Sequence, residues 1–270
     1  MKLLKQIFDF YLDSSIHVAL AVYALARITM LSFGLGYDEV ISYALFFGTI
    51  VEYGFIKYSS LAKHYLFVDK KYLKTIQFFG GICFIIAAYY VFRLNYKTLF
   101  VAGGLVVLAF LYVVPALTTK RNIRSLKGIK IYIVGLTWSV STVILPLLNN
   151  DMPMQANAYV EVLQRFIYII AIMIPFEIRD LNTDEAWLRT LPQVLGVRWV
   201  KLLGTLLAVF FCVLSLFKYN FAYKYQLVEL GVGGLIILSI LFATKNRSKY
   251  YASFFVESIS VVWWLAMLLV

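Results

Sequence analysis

The opening segment, MKLLKQIFDFYLDSS, places apolar residues at positions 3, 4, 7, 8, 11 and 12, the spacing of one helix face, with Lys2 and Lys5 beside it. This predicts an amphipathic helix over 1–13 lying in a membrane interface. The chain then turns to long apolar runs near 14–35, 38–57, 75–94, 97–117, 129–148, 157–178, 197–217, 225–243 and 250–269. Each has roughly the 20 residues that a helix needs to cross a bilayer core of about 30 Å. The first run has no small-x-small cleavage site and many spans follow it, so the opening segment reads as retained rather than as a cleaved signal.

Composition agrees with that pattern. The chain is 62% hydrophobic and 14% charged, well short of the charge content of a soluble domain. Nine spans use about 180 residues, leaving connectors and no room for an ordinary soluble domain. The expectation is an all-α polytopic membrane protein whose residues 1–270 form a single helical domain. Two connectors are longer than the rest, about 57–74 and 178–197, and long loops on one face are where a site is built.

The net charge of +11 does not point to nucleic acid, because the basic residues are sorted by side. Arg93, Lys97, Lys218 and Lys224 lie in one set of loops, Arg27 and Arg165 lie inside spans, and the other nineteen of the 25 Lys and Arg lie in the opposite loops. By the positive-inside rule the amino terminus is cytoplasmic and the carboxy terminus external, in a cytoplasmic membrane of bacterial type. Cys83 and Cys212 sit alone in apolar runs, and His17 and His64 are isolated. Neither pair suggests a disulfide, a zinc site or a histidine-based triad.

The most informative connector is PFEIRDLNTDEAWLRTLPQVLG, residues 175–196. Glu177, Asp180 and Asp184 are spaced i, i+3, i+7, so a helix continuing the sixth span would stack three carboxylates on one face. Such a row repels itself unless a cation sits among the acids, and carboxylate-only sets suit a hard ion such as Mg²⁺. In the competing reading the loop is solvated and Arg179 and Arg189 neutralise the acids.

Asp180-x-x-x-Asp184, followed by Thr190-Leu191-Pro192 and Leu195-Gly196, resembles the second aspartate-rich motif of the UbiA superfamily of intramembrane prenyltransferases. In that superfamily the motif joins helices six and seven of a nine-helix bundle. The resemblance implies transfer of an isoprenyl group from a prenyl diphosphate to a lipophilic acceptor, with Mg²⁺ between two acidic loops. It gives Asp180 and Asp184 a catalytic role and makes Glu177, Asp180 and Asp184 the metal ligands. The first acidic motif of the family belongs near residues 51–65. There the chain reads VEYGFIKYSSLAKHY, with Glu52 its only acid and Lys57 and Lys63 among the rest; no Gly separates Asp184 from Thr190 either. The departure leaves two readings. In one, a transferase uses Lys57, Lys63, Lys120, Arg121 and Arg124, beside Glu52, to meet the diphosphate. In the other, a repurposed member binds an isoprenoid or another lipid without catalysis.

Charges within spans are costly. Glu161 and Arg165, four residues apart, read as a structural pair. Arg27 has no local partner; it should face the interior with Glu52 or Glu257 as counter-ion, or line a substrate pocket. Trp138, Trp187, Trp199, Trp263 and Trp264 are candidates to flank a prenyl chain, with packing as the ordinary alternative. A transporter built on the intramembrane charges is disfavoured, because the chain shows no repeated half.

Overall fold

The computed structural model describes residues 2–58, 71–113, 128–184, 186–219 and 221–270. Lys63, Lys120, Arg121 and Arg124 lie outside the described residues. The elements are α1 (Lys2–Asp13), α2 (Ile16–Ser32), α3 (Glu39–Tyr58), α4 (Lys71–Val91), α5 (Tyr96–Val113), α6 (Lys130–Ser139), α7 (Leu145–Asn149), α8 (Ala156–Asp180), α9 (Leu191–Leu195), α10 (Val197–Leu216), α11 (Tyr223–Leu241) and α12 (Ser258–Leu269). A π turn, Val140–Ile144, joins α6 to α7, and another, Tyr251–Val256, leads into α12.

Nine rods among the described residues stand where the nine apolar runs predict spans: α2, α3, α4, α5, α6 with α7, α8, α10, α11, and the second π turn with α12. Seven are long and apolar enough singly, α2 qualifies together with α1, and α5 is shorter over Tyr96–Leu111. The predicted α1 forms. Ser15 adopts a left-handed conformation (φ 65°) and turns α1 by 54° from α2. Leu3, Leu4 and Ile7 face outward, while Phe8 packs on Phe254 (5.1 Å) and Phe10 on Phe79 (5.7 Å).

The core gathers along α2, α8, α10, α11 and α12, around Leu25, Ile28, Tyr168, Phe211, Ile236 and Trp263. In lipid there is little hydrophobic drive between helices, so close approach depends on small residues. A Cβ on Gly204 would come within 2.7 Å of Ile174 and 2.8 Å of Ile240, and one on Gly233 would overlap Cys212 Sγ. Outer faces carry large apolar side chains such as Phe78, Phe92 and Phe100, 75–84% exposed, which is the surface of an integral membrane protein.

Both π turns are tied to α2. A π turn leaves carbonyls out of α-helical register. His17 Nε2 bonds Phe254 O at 3.0 Å, and Thr29 Oγ1 donates to Thr142 O at 2.8 Å. One helix thus supplies a polar partner to each irregular turn. The connectors at the Asn150 end are cross-linked as well. Asp38 caps α3 through Ile41 N–H (3.2 Å) and accepts from Asn149 and Asn150, while Asn95 caps α5 through Thr98 N–H (2.8 Å).

Candidate functional site

Helix α8 carries charges at both ends, and they are treated differently. Near its start, Glu161 accepts from Arg165 (2.7 Å) and meets Lys218 (2.6 Å); Lys218 also meets Glu229 (2.7 Å). Gln164 donates to Glu229 (2.9 Å), and Arg165 reaches Leu25 O (2.8 Å) and stacks 5.1 Å from the Trp263 ring. Two acids and two bases, all at most 5% exposed, form a neutral quartet. The expected Glu161–Arg165 pair is present. Lys218 and Glu229 were not connected to it in the sequence, although Glu229, an acid inside a span, was itself the signal.

At the other end of α8 the acids part company. The three-carboxylate row expected on a continued helix does not form, because α8 ends at Asp180 and residues 181–183 form a turn. Thr183 and Asp184 N–H both close on Asp180 O (2.9 and 2.8 Å). Glu177, 3% exposed, accepts from Leu191 N–H at 3.2 Å and lies 3.9 Å from Lys130 Nζ. It thereby places a carboxylate at the positive amino-terminal end of α9. Asp180 is held by Arg179 in a two-point contact, Nε–Oδ1 2.6 Å and Nη2–Oδ2 2.9 Å. Asp184 O accepts from Gln193 Nε2 (3.1 Å), whose Oε1 takes Thr190 N–H (3.0 Å). The loop rests on the turn leading into α6 through Gly128 N–H to Leu188 O (3.0 Å).

Among the described residues no three His, Cys, Asp or Glu side chains are grouped to hold a metal ion. Glu177 and Asp180 each answer a cation of the protein's own, so these acids in this arrangement do not fit a shared Mg²⁺, and no step is assigned to one. For Asp180 the neutralised-loop reading holds, with Arg179 as the neutraliser.

On α3 Glu52 is half-buried and Lys57 is exposed, and Glu257, in the turn into α12, is half-buried. Lys57 Nζ donates to Leu12 O at the end of α1 (3.2 Å). Arg179 Nη1 donates to Ser253 Oγ (2.9 Å) on the second π turn. Also on α3, Tyr53 OH accepts from Trp138 Nε1 (3.1 Å). Among the described residues the side-chain carboxylates of Glu52 and Glu257 hold no hydrogen bond and no ion pair within 4.0 Å.

A solved structure described as digeranylgeranylglyceryl phosphate synthase in membranes matches this chain with TM-score 0.60, over 98% of this chain and 98% of that one, at 16% identity. The fold is UbiA-like. No family model and no curated protein matches the sequence. At 16% identity the likeness carries the architecture of a membrane prenyltransferase and not its substrates.

In this UbiA-like bundle Arg179 joins Asp180 at the end of α8 to Ser253 on the second π turn, while Lys57 ties α3 to the end of α1. Arg27 stands apart and corrects an expectation: it pairs with neither Glu52 nor Glu257 but stacks 4.4 Å from the Tyr37 ring, with Nη1 3.5 Å from Met30 Sδ. An aromatic face replaces the missing carboxylate. Of the tryptophans, Trp263 is core, packed on Tyr168 and Phe211, and Trp187 and Trp199 are on the outside. Trp138 and Trp264 stay near the interior, the latter against Tyr23 (5.5 Å). Sequence reasoning gave Arg179 only a neutralising part and gave Glu257 none beyond Arg27. Their common signal was a charge at a span end next to an apolar run.

Proposed function

We propose that this UbiA-like membrane protein transfers an isoprenyl group from a prenyl diphosphate to a lipophilic acceptor. The observation that supports the reading most directly is the fold, shared over 98% of the chain with a solved digeranylgeranylglyceryl phosphate synthase. The C1–O bond of the allylic diphosphate breaks, and its electron pair leaves with the diphosphate. Lys57 and Arg179 face the charge that develops there, with Lys63, Lys120, Arg121 and Arg124 proposed to add to them. The rings of Tyr53 and Trp138 offer their faces to the allylic cation. The acceptor's nucleophilic atom bonds to C1 and its proton passes to Glu52. Arg27, on its tyrosine ring, is proposed to take a polar end of the acceptor. Because Glu177 and Asp180 already answer protein cations, the reading assigns the diphosphate to basic side chains. Binding should therefore persist when Mg²⁺ is removed.

The end bearing α1 is proposed to face the cytoplasm, as the loop charges imply. With Cys83 and Cys212 replaced, a cysteine at Asn150 should react with an impermeant reagent in intact cells and one at Arg247 should not; the reverse would overturn the orientation.

A second reading, an isoprenoid-binding protein without catalysis, is favoured by one observation: the stretch that should carry the first acidic motif has Glu52 alone. Protein in lipid nanodiscs, given farnesyl diphosphate and the lipid extract of its host, separates the two. Pyrophosphate release with a prenylated product supports transfer. Binding without release supports the second reading, and no binding with or without Mg²⁺ sinks both.

A further inference from the structure

Helix α8 ends on a carboxylate, at the end of a helix where one is least at home. The carbonyl end carries partial negative charge, so Asp180 in the last turn needs a cation close by. Arg179, its neighbour in the chain, supplies it. The guanidinium is fixed on three sides: Nε and Nη2 donate to the two Asp180 oxygens (2.6 and 2.9 Å), Nη1 donates to Ser253 Oγ (2.9 Å), and Cζ lies 5.2 Å from the Phe176 ring. These bonds use three of the five N–H donors of an arginine and leave one on each terminal nitrogen. The side chain keeps 23% of its surface exposed. Ser253 belongs to the π turn Tyr251–Val256, whose Phe254 carbonyl is held by His17 Nε2 (3.0 Å) and Ser258 Oγ (2.7 Å). Glu177, one turn back along α8, is likewise engaged, with Leu191 N–H at 3.2 Å and Lys130 Nζ at 3.9 Å.

We propose that Arg179 is a built-in replacement for a divalent cation at this loop, with Asp180 and Ser253 as the positioning residues that hold it for the diphosphate. This rests on the reading of Arg179 as a diphosphate-binding group. Mg²⁺ commonly links one or two carboxylates to substrate phosphates. A guanidinium held by Asp180 and offering its two remaining N–H donors makes the same bridge, carboxylate to cation to phosphate, with no ion to recruit. Arginine does not lose its proton, so the bridge is permanent. An exchange follows from the geometry. With Arg179 present both Asp180 oxygens are taken; with it removed the carboxylate is free to hold a metal.

Calorimetry in nanodiscs with farnesyl diphosphate, run in EDTA and again in excess Mg²⁺, tests the exchange. The unaltered protein should bind with affinities within about twofold of each other under the two conditions. Arg179→Ala should bind about tenfold more weakly in EDTA and recover most of that loss in Mg²⁺, because the metal then joins Asp180 to the phosphates. Adding Asp180→Asn to Arg179→Ala should abolish the recovery. Arg179→Lys, which keeps the charge, should stay indifferent to Mg²⁺; a purely structural arginine would give neither the recovery nor its loss. Electron paramagnetic resonance of Mn²⁺ without any diphosphate gives an independent arm. Mn²⁺ bound by the unaltered protein and released by Asp180→Asn overturns the replacement role alone, as does an Arg179→Ala variant that binds farnesyl diphosphate and gains nothing from Mg²⁺. Farnesyl diphosphate bound by none of these proteins, with or without Mg²⁺, overturns the diphosphate reading and this proposal with it.

Discussion

Two groups of charges on α8, at Glu161–Arg165 and at Glu177–Asp180, stand roughly 24 Å apart along the helix at 1.5 Å per residue. The first is sealed: Glu161, Arg165, Lys218 and Glu229 sum to zero, and each acid touches at least one base. The second is open. Asp180 is paired in a contact with about a quarter of each side chain exposed, and the half-buried carboxylates of Glu52 and Glu257 hold no ion pair among the described residues. Burial explains the difference in consequence. A sealed quartet has no spare valence for a ligand and fixes how α2, α8, α11 and the loop after α10 meet. An open cluster keeps its field for whatever enters.

That contrast can be broken by removing one member of the sealed group. Glu229→Ala leaves Lys218 and Gln164 short of a partner in a dry interior and should cost about 3–5 kcal/mol in a reversible unfolding assay in mixed micelles. Replacing Lys218 and Glu229 together by Leu should cost less than Glu229→Ala alone; equal or greater cost would mean that the pair holds more than its own charges. Next in size is Glu177→Ala, which frees Leu191 N–H and Lys130. It should destabilise the loop by about 1–2 kcal/mol, read as faster hydrogen exchange at the α9 amides with little change in α8. Arg179→Ala sharpens the comparison from the open side. Farnesyl diphosphate binding should weaken by about tenfold, or about 1.4 kcal/mol, while the unfolding midpoint stays close to that of the unaltered protein.

The smallest effect belongs to the latch of α1. Lys249 (2.9 Å) and Tyr250 (2.7 Å) bond Asp9, and the Lys249 hydrogen bond, followed by that of Tyr250, holds its carboxyl below the usual value of 3.8. A lowered carboxyl pKa stabilises the contact above pH 3.8 and ceases to do so as the pH falls through the lowered value. Spin labels at Lys5 and Lys245 should therefore keep one separation from neutral pH down to about pH 4 and spread only below it. Asp9→Asn should show a modest spread at pH 7, and an unchanged distance in that variant would mean that the aromatic contacts of Phe8 suffice.

The acidic loop shows where sequence reading succeeds and where it stops. Its place between the sixth and seventh spans is a local matter, and the fold agrees with it. The row Glu177–Asp180–Asp184 assumed that the helix continues, and no local rule could tell that α8 stops at Asp180 or that Arg179 folds back on its neighbour. Arg27 shows the same limit. A span cation without a local acid was legible, but its partner, Tyr37, arrives through the return of a loop.

The sequence alone placed the nine apolar runs at which helical rods stand among the described residues. Lipid offers the backbone no hydrogen bonds, so each crossing must be a helix of about 20 apolar residues, and that demand is written residue by residue. Only the tertiary structure decided which charges meet, because their partners are brought together across the chain. His17 and Phe254, 237 residues apart, share a hydrogen bond, and Arg179 meets Ser253, 74 residues on, because α8 packs on the π turn before α12. Electrostatic energy depends on distance and burial, and neither is a property of a position in a sequence.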